Sequence, residues 1–463
     1  MTESGSRFLQ YMAASTGNLN IIACGAILGW TSPILPKLSE DNPILPDNQL
    51  LRPITKNEGS WIGSFVPLGI MFGSLVSGNL GEWLGRKRGL LLSTFPLLLG
   101  WILVGTAKDV IQIYVGRFLL GIGSSVSFTL LPMYVGEISD ASIRGALGSL
   151  LQLFITFGFL LSYSLGPYVS YTIFWIFCAS LHVTFYLGFM LMPESPSFLM
   201  SKGRKTEAAE ALAKFRGKSV DGVQKEIAQM QEEIDEAYRI ETTWSDIFKN
   251  KVHRKAVILT SILMFFEEFT GIDVVLFYVE DIFRDAKTKN TAISAIIIGV
   301  VQLLGSVLTP LIVDRSGRKI LLIISSIGSG ITVGLLALFF YLREIKCDLT
   351  NFMWVPLTTL VIYTIAYGIG WGPLPWTIMG EIFAPGVKSK ASSISVCVMW
   401  TCSFLLTKFF INVEESYGIY TGFWFFSACC AVSVVFLVIF PETKGKTLNE
   451  IQEKLAGRRN LDS

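Results

Sequence analysis

The chain has 463 residues, of which 51% are apolar, 13% aromatic and only 16% charged. Soluble proteins carry about 25% charged residues, so this chain cannot cover a globule of its size with charge, and a soluble enzyme is excluded. With 38 basic residues against 36 acidic ones there is no net pull toward a polyanion, and no nucleic-acid partner is expected.

Crossing a bilayer takes about 20 apolar residues in a helix. In chain order such stretches fall at 19–36, 58–82, 89–106, 110–135, 146–167, 170–192, 255–280, 291–313, 320–342, 353–380, 389–412 and 419–440. Twelve spans predict an all-α membrane protein, partnered by the lipid bilayer, with both termini on one face. The implied organisation is an N-terminus at 1–18, a first half at 19–192, a linker at 193–254, a second half at 255–440 and a tail at 441–463. In the linker, 204–240 is rich in Glu, Lys, Ala and Gln, with Val223, Ile227, Met230 and Ile234 at helical spacing. That pattern predicts short amphipathic helices beneath the bundle, latching the halves. Thr447 and Glu450 have the spacing of a capping box for one more short helix. The first 18 residues are polar and show no small-residue cleavage site, so no cleaved signal peptide is expected.

Lys and Arg set the orientation. The termini, linker and alternate loops hold 27 of them and the other face 9; without the linker the ratio is still 15 to 9. Both termini are therefore expected in the cytosol. Of seven cysteines only Cys347 falls in a loop, which leaves no disulfide framework. The two histidines, His182 in a span and His253 in the linker, lack metal-ligand spacing, and no metal or cofactor is expected. Gly217-Lys218-Ser219 has the ending of a phosphate-binding loop, but Leu212 stands where its first Gly belongs and no strand precedes it. No ATPase chemistry follows.

An internal duplication carries the most information. Gly85-Arg86-Lys87 returns as Gly317-Arg318-Lys319, and Pro193-Glu194-Ser195 as Pro441-Glu442-Thr443. Gly136-Glu137-Ile138 with Arg144 returns as Gly380-Glu381-Ile382 with Lys388, displaced by 244 residues. Three motifs repeated in order mean six spans duplicated. Parallel repeats of this kind place a solute site near the midplane and rock around it. The sequence therefore reads as a transporter working by alternating access, and not as an enzyme.

From about residue 21 to 455 the chain resembles the sugar porter branch of the major facilitator superfamily. The likeness rests on Gly116-Arg117-Phe118, Pro132-x-Tyr134-x-x-Glu137 with Arg144-Gly145, and Pro193-Glu194-Ser195-Pro196. In the second half it rests on Gly372-Pro373-Leu374-Pro375-Trp376, Glu381 and Pro441-Glu442-Thr443-Lys444-Gly445. Gly29-Trp30-Thr31-Ser32-Pro33 and Trp400-Thr401-Cys402 look most like the insect facilitated trehalose transporters. The resemblance implies facilitated diffusion of a small sugar, trehalose or a hexose, across the plasma membrane.

It also implies two groups of working residues. Arg86, Glu137, Arg144, Asp314, Arg315, Arg318, Glu381 and Lys388 resemble an interlock that holds the cytosolic side shut, with Glu137 facing Arg144 and Glu381 facing Lys388 across short turns. Lys388 replaces an Arg and loses the bidentate fork. Gln152, Gln302, Trp376 and Trp400 match positions that contact sugar: amides for hydroxyls, aromatic faces for the C–H surface.

The seventh span departs from the family. Sugar porters usually read Gln-Gln-x-x-Gly-x-Asn there, whereas this chain has Glu267, Glu268, Gly271 and Asp273, each amide turned into its acid. Ionisable residues within spans are costly and default to function. Successive residues of an ideal helix lie about 100° apart, so Glu267 and Glu268 diverge unless Gly271 breaks the helix. Three readings stay open: protonated carboxyls that imitate amides and bind sugar, a proton coupled to sugar movement, or selection of a cationic solute. Against proton coupling, Ile27 stands where sugar–proton symporters of this branch carry Asp. A sensor that binds sugar without moving it is a further alternative.

Overall fold

The computed structural model describes residues 6–39, 50–140, 142–239, 244–444, 446 and 448–456, with the side chains of 233, 236–239, 246, 310–316, 385, 448 and 449 outside the description. Among the described residues regular structure is helical throughout, with no strand. Among the described residues eleven segments are long and apolar enough to cross a membrane. The twelfth crossing is the seventh span, which is broken into Lys251–Glu268, Ile272–Phe277 and Val279–Asp285. Side chains such as Phe72, Phe95, Ile173, Ile331 and Val435 stand exposed along the spans, as a lipid-facing surface requires and a soluble one does not.

Boundaries moved where polar residues are buried. The first span runs Phe8–Gly29 and Thr31–Ser39, starting well before residue 19. Gln10, fully buried, explains the difference: its amide donates to the Phe215 carbonyl at 2.9 Å and accepts from the Asp140 N–H at 2.9 Å. A linker contact thus satisfies what hydropathy scores against a helix. The tenth span divides into Val355–Ile369 and Leu374–Ile382 around Gly370-Trp371-Gly372-Pro373. There Ser325 accepts the Trp371 N–H at 3.2 Å and Ser326 accepts its indole at 2.9 Å, so the ninth span answers groups that the break releases.

Small residues let the spans approach. A methyl at Gly69 would sit 2.3 Å from the Phe118 carbonyl and one at Gly121 2.3 Å from that of Val66, locking the second span onto the fourth. Such close backbone approach is a principal source of helix association in lipid.

The linker folds as Pro196–Ser201, Lys205–Arg216, a short turn at Asp221–Val223, Gln224–Arg239 and Trp244–Lys249. Val223 and Ile227 are buried against Phe198, Leu199 and Leu212, with Met230 and Ile234 packed on that cluster. Its parts are anchored on different halves. Arg216 binds the Ile138 carbonyl at 2.8 Å and Asp140 at 2.9 Å in the first half, while Ile247 packs with Val257, Ile382 and Val387 in the second. The tail helix Leu448–Ala456 joins the latter cluster through Ile451 and Leu455. Thr447, half of the expected capping box, lies outside the described residues. The described ends of the chain and the linker thus share one face of the bundle, hereafter the terminal face.

The repeated motifs become repeated structure. Gly85 and Gly317 enter their helices at φ +99° and +91°, a region that favours glycine. The helix starting at Arg86 is capped by Glu194, which accepts the Lys87 N–H at 2.8 Å. Its counterpart at Arg318 is capped by Glu442, which accepts the Arg318 and Lys319 N–H groups at 3.2 and 3.1 Å. Lys87 and Lys319 then each bind a carbonyl ending the last span of their half, Met190 at 2.7 Å and Val438 at 2.6 Å.

Candidate substrate site and its gates

The seventh span breaks where its acids are. Its first helix stops at Glu268, and Gly271 takes φ +90° before Ile272 restarts the chain. A methyl at Gly271 would meet the Phe426 ring at 2.5 Å, so both backbone and space require glycine. The Thr270 hydroxyl donates to the Glu267 carbonyl at 2.7 Å, Tyr363 to the Thr270 carbonyl at 3.1 Å, and Tyr163 of the first half to the Leu276 carbonyl at 2.6 Å. These are the partners that irregular backbone needs at membrane depth.

The two glutamates diverge, as helix geometry demands. Glu267, 2% exposed, turns to the tenth span, where Tyr367 donates to Oε1 at 3.3 Å and the Trp376 indole lies within hydrogen-bonding reach. Glu268, equally buried, lies within electrostatic range of Cys402 on the eleventh span. The break folds Asp273 back within hydrogen-bonding reach of Glu268, and the Ser403 hydroxyl donates to Asp273. Glu267 Oε2 and Glu268 Oε2 have no partner within the protein. The charged groups recorded as acting on this triad are its own members, with no Lys or Arg among them.

Of the positions singled out in the sequence, the structure brings together Glu267, Glu268, Asp273 and Trp376. Trp376 is 39% exposed, with area to offer a ring. Trp400 is buried in the main apolar cluster, Gln302 is half-buried with Oε1 unpartnered, and Gln152 is exposed; no recorded contact ties these three to the acids. Tyr367, Ser403 and Cys402 join the site without having been singled out. A tyrosine pair four residues apart in the apolar tenth span, Tyr363 and Tyr367, was the available signal.

A cavity of about 340 Å³ lies between the second and eleventh spans, lined by Leu75, Ser393, Ile394, Cys397, Thr401 and Cys402 and capped by Trp244 of the linker. None of the expected sugar contacts lines it. On the terminal face the expected interlock pairs differently from the sequence reading. Glu137 binds Arg86 at 2.9 Å and accepts from Ser195, while Glu381 binds Arg318 at 3.0 Å. Arg144 reaches only the Ser139 carbonyl at 3.4 Å and Lys388 the Gly380 carbonyl at 3.1 Å. The reason is reach: each acid already meets the arginine that opens the neighbouring span of its own half. The side chains of Asp314 and Arg315 lie outside the described residues. No recorded bond of the six described residues crosses from one half to the other.

On the opposite face the halves are joined. Lys56 pairs with Glu414 at 3.3 Å, Lys408 binds Asn57 and Ser60, and Ser32 accepts the Glu280 N–H at 3.3 Å. Among the described residues the halves are therefore joined on the opposite face, while a cavity separates the second and eleventh spans toward the terminal face. Two buried groups elsewhere serve the fold. Arg117 donates to the Ile27 and Ile62 carbonyls at 2.7 and 3.2 Å and to Thr31 at 3.0 Å, beneath the Trp30 ring. His182 bonds Asn20 through Nδ1 at 2.6 Å and leaves its buried Nε2 without a partner among the described residues.

Comparison with known proteins decides the family. A family model described as sugar (and other) transporter matches residues 24–455. The chain belongs to the sugar transporter family. It is 34% identical to the facilitated trehalose transporter Tret1 of Bombyx mori, over 98% of this chain and 88% of that protein. It is 35% identical to the protein of the same name from Culex quinquefasciatus, over 97% of this chain and 86% of that one. Among solved structures, the xylose transporter XylE from E. coli in a partially occluded inward-open conformation superposes with a TM-score of 0.78, at 24% identity, covering 95% of this chain and 99% of that one. XylE bound to 6-bromo-6-deoxy-D-glucose, described as a proton:xylose symporter, gives 0.72 over 96% of this chain and 99% of that one. This sugar porter is thus a multi-pass membrane transporter whose substrate is a small sugar.

Proposed function

We propose that this porter carries trehalose or a hexose down its gradient across the plasma membrane, with its termini in the cytosol, by alternating between the state seen here and one open to the opposite face. The observation that carries the reading is the broken seventh span, which sets two unpartnered carboxyl oxygens beside Trp376, Tyr367 and Ser403. Sugars supply what these groups lack: hydroxyl donors for the carboxyl oxygens and a C–H face for the indole. Gln152, Gln302 and Trp400 complete the binding set as the halves close around the solute. Arg144 and Lys388, each held by one carbonyl, are the cations that cross between halves when the terminal face shuts, and Asp314 and Arg315 belong to the same interlock. Likeness to the inward-open form of XylE supports a cytosolic terminal face. Counterflow of labelled trehalose and glucose in proteoliposomes tests the assignment: Trp376→Ala should weaken it at least tenfold, and unchanged counterflow would remove Trp376 from the site.

A second reading, proton-coupled sugar movement, is favoured by one feature. The Glu268 and Asp273 carboxyls lie within hydrogen-bonding reach of each other, and two carboxyls bond only if they share a proton. Arg117 weighs the other way, since its recorded hydrogen bonds go to the Ile27 and Ile62 carbonyls and the Thr31 hydroxyl, with no carboxylate among them.

A further inference from the structure

The second and eleventh spans form a scissor. At the terminal end they part around the cavity lined by Leu75, Ser393 and Cys397. Beyond it they touch: Thr401 on the Met71 sulfur at 3.1 Å, then Trp61 against Phe404 with centroids 6.3 Å apart, then Lys408, and finally the Lys56–Glu414 pair. Lys408 is 5% exposed. Its Nζ donates to Asn57 Oδ1 at 2.9 Å and Ser60 Oγ at 2.8 Å on the other half, and to Asn412 Oδ1 at 3.2 Å on its own helix. It also stands 4.7 Å over the Trp61 ring. An ammonium has three donors, and all three are answered by neutral acceptors, with no carboxylate among them.

That choice of partners has a mechanical consequence. Taking a charge out of water is costly, and replacing it by an apolar side chain of similar volume is often neutral or stabilising. The neutral acceptors offset the cost while the gate is shut, and water offsets it when the gate opens. We propose that Lys408 is the gating residue of the opposite face: Asn57 and Ser60 house its ammonium when the halves close there, and its hydration favours reopening, so the gate shuts without locking. The idea rests on alternating access between the halves but is indifferent to which solute is carried.

The two sides of this contact should act in opposite directions, which a merely structural contact would not. The protein is reconstituted full length with Cys347→Ser, and alkylation by N-ethylmaleimide is followed by peptide mass spectrometry without added sugar. Native Cys397, in the terminal-face cavity, reports the state seen here; a Phe404→Cys reporter, under the gate, reports the other. Asn57→Ala and, independently, Ser60→Ala leave the ammonium short of a partner when shut. Each should speed labelling at the Phe404→Cys reporter and slow it at Cys397, by about ten- to a hundredfold for one charged hydrogen bond. Lys408→Met should do the reverse, and in its background Asn57→Ala should have no effect. Shifts of Lys408→Met and Asn57→Ala in the same direction, no shift in either, or an Asn57→Ala effect that survives Lys408→Met would overturn the proposal. Because labelling needs no substrate, a wrong assignment of the sugar leaves this test intact.

Discussion

Glu267→Gln and Glu267→Ala should separate a sugar ligand from a proton carrier. Glu267 offers one oxygen to Tyr367 at 3.3 Å and leaves the other without a protein partner. The amide keeps an oxygen for Tyr367 and a polar atom for the solute, so the change is the quality of one hydrogen bond. That is worth about 0.5–1.5 kcal/mol, or about two- to twelvefold in KM at 1.4 kcal/mol per tenfold. Alanine removes the solute contact and also strands the half-buried Tyr367 hydroxyl, at about 1.5–3 kcal/mol, a loss of about ten- to a hundredfold. The assay is initial-rate uptake into proteoliposomes together with counterflow at equal pH on both sides. If Glu267 is a ligand, Gln stays within about tenfold of wild type in both measurements while Ala fails in both. A Gln variant that exchanges sugar normally but has lost concentrative uptake would refute the reasoning and make Glu267 the coupling residue.

Other expectations follow from single contacts. Gly271→Ala places a methyl on the Phe426 ring at φ +90°, and should lower the melting temperature and abolish counterflow; a normal melt with normal transport would mean the break is not needed. Glu442 lies outside the spans: burial pushes its carboxyl up, but the N–H groups of Lys444, Lys319, Arg318 and Thr443 outweigh that and hold it below its ordinary value. A lowered folded pKa gives stability that is complete above the unfolded value of about 4.3 and lost as pH falls through the folded one. Glu442→Gln should therefore flatten the acid limb of a melting-temperature profile, and an unchanged limb would contradict the cap. Arg117→Lys cannot keep a fork spanning Ile27, Ile62 and Thr31, and should cost about 1.5–3 kcal/mol for a lost charged hydrogen bond, read as a lowered thermal midpoint.

Much of this was legible in the residues because membrane burial writes a strong pattern. Span positions, the duplicated halves and the acids of the seventh span follow from hydropathy and repeated motifs, and Gly271 flagged the break that appeared there. The early start of the first span was hidden because Gln10 owes its burial to a linker residue some two hundred positions away. The partner of Glu137 was hidden for a similar reason, since proximity in sequence points to Arg144 while folding brings Arg86 from another helix. Tyr367 and Ser403 were passed over because a hydroxyl in an apolar span usually bonds its own helix; only the break turns them toward acids. Which face stands open was not legible at all. It is a balance of a few contacts such as Lys408 on Asn57, which only the folded bundle brings together.

The most direct test of facilitated sugar transport is uptake of labelled trehalose and glucose by the purified, reconstituted protein at several pH values, with and without an uncoupler. Facilitated diffusion gives saturable uptake of at least one sugar that stops at equal concentrations inside and out and is indifferent to the proton gradient. Accumulation above equilibrium that collapses with the uncoupler would contradict it and place coupling on Glu268 and Asp273. No uptake of either sugar by folded, inserted protein would contradict the substrate assignment itself.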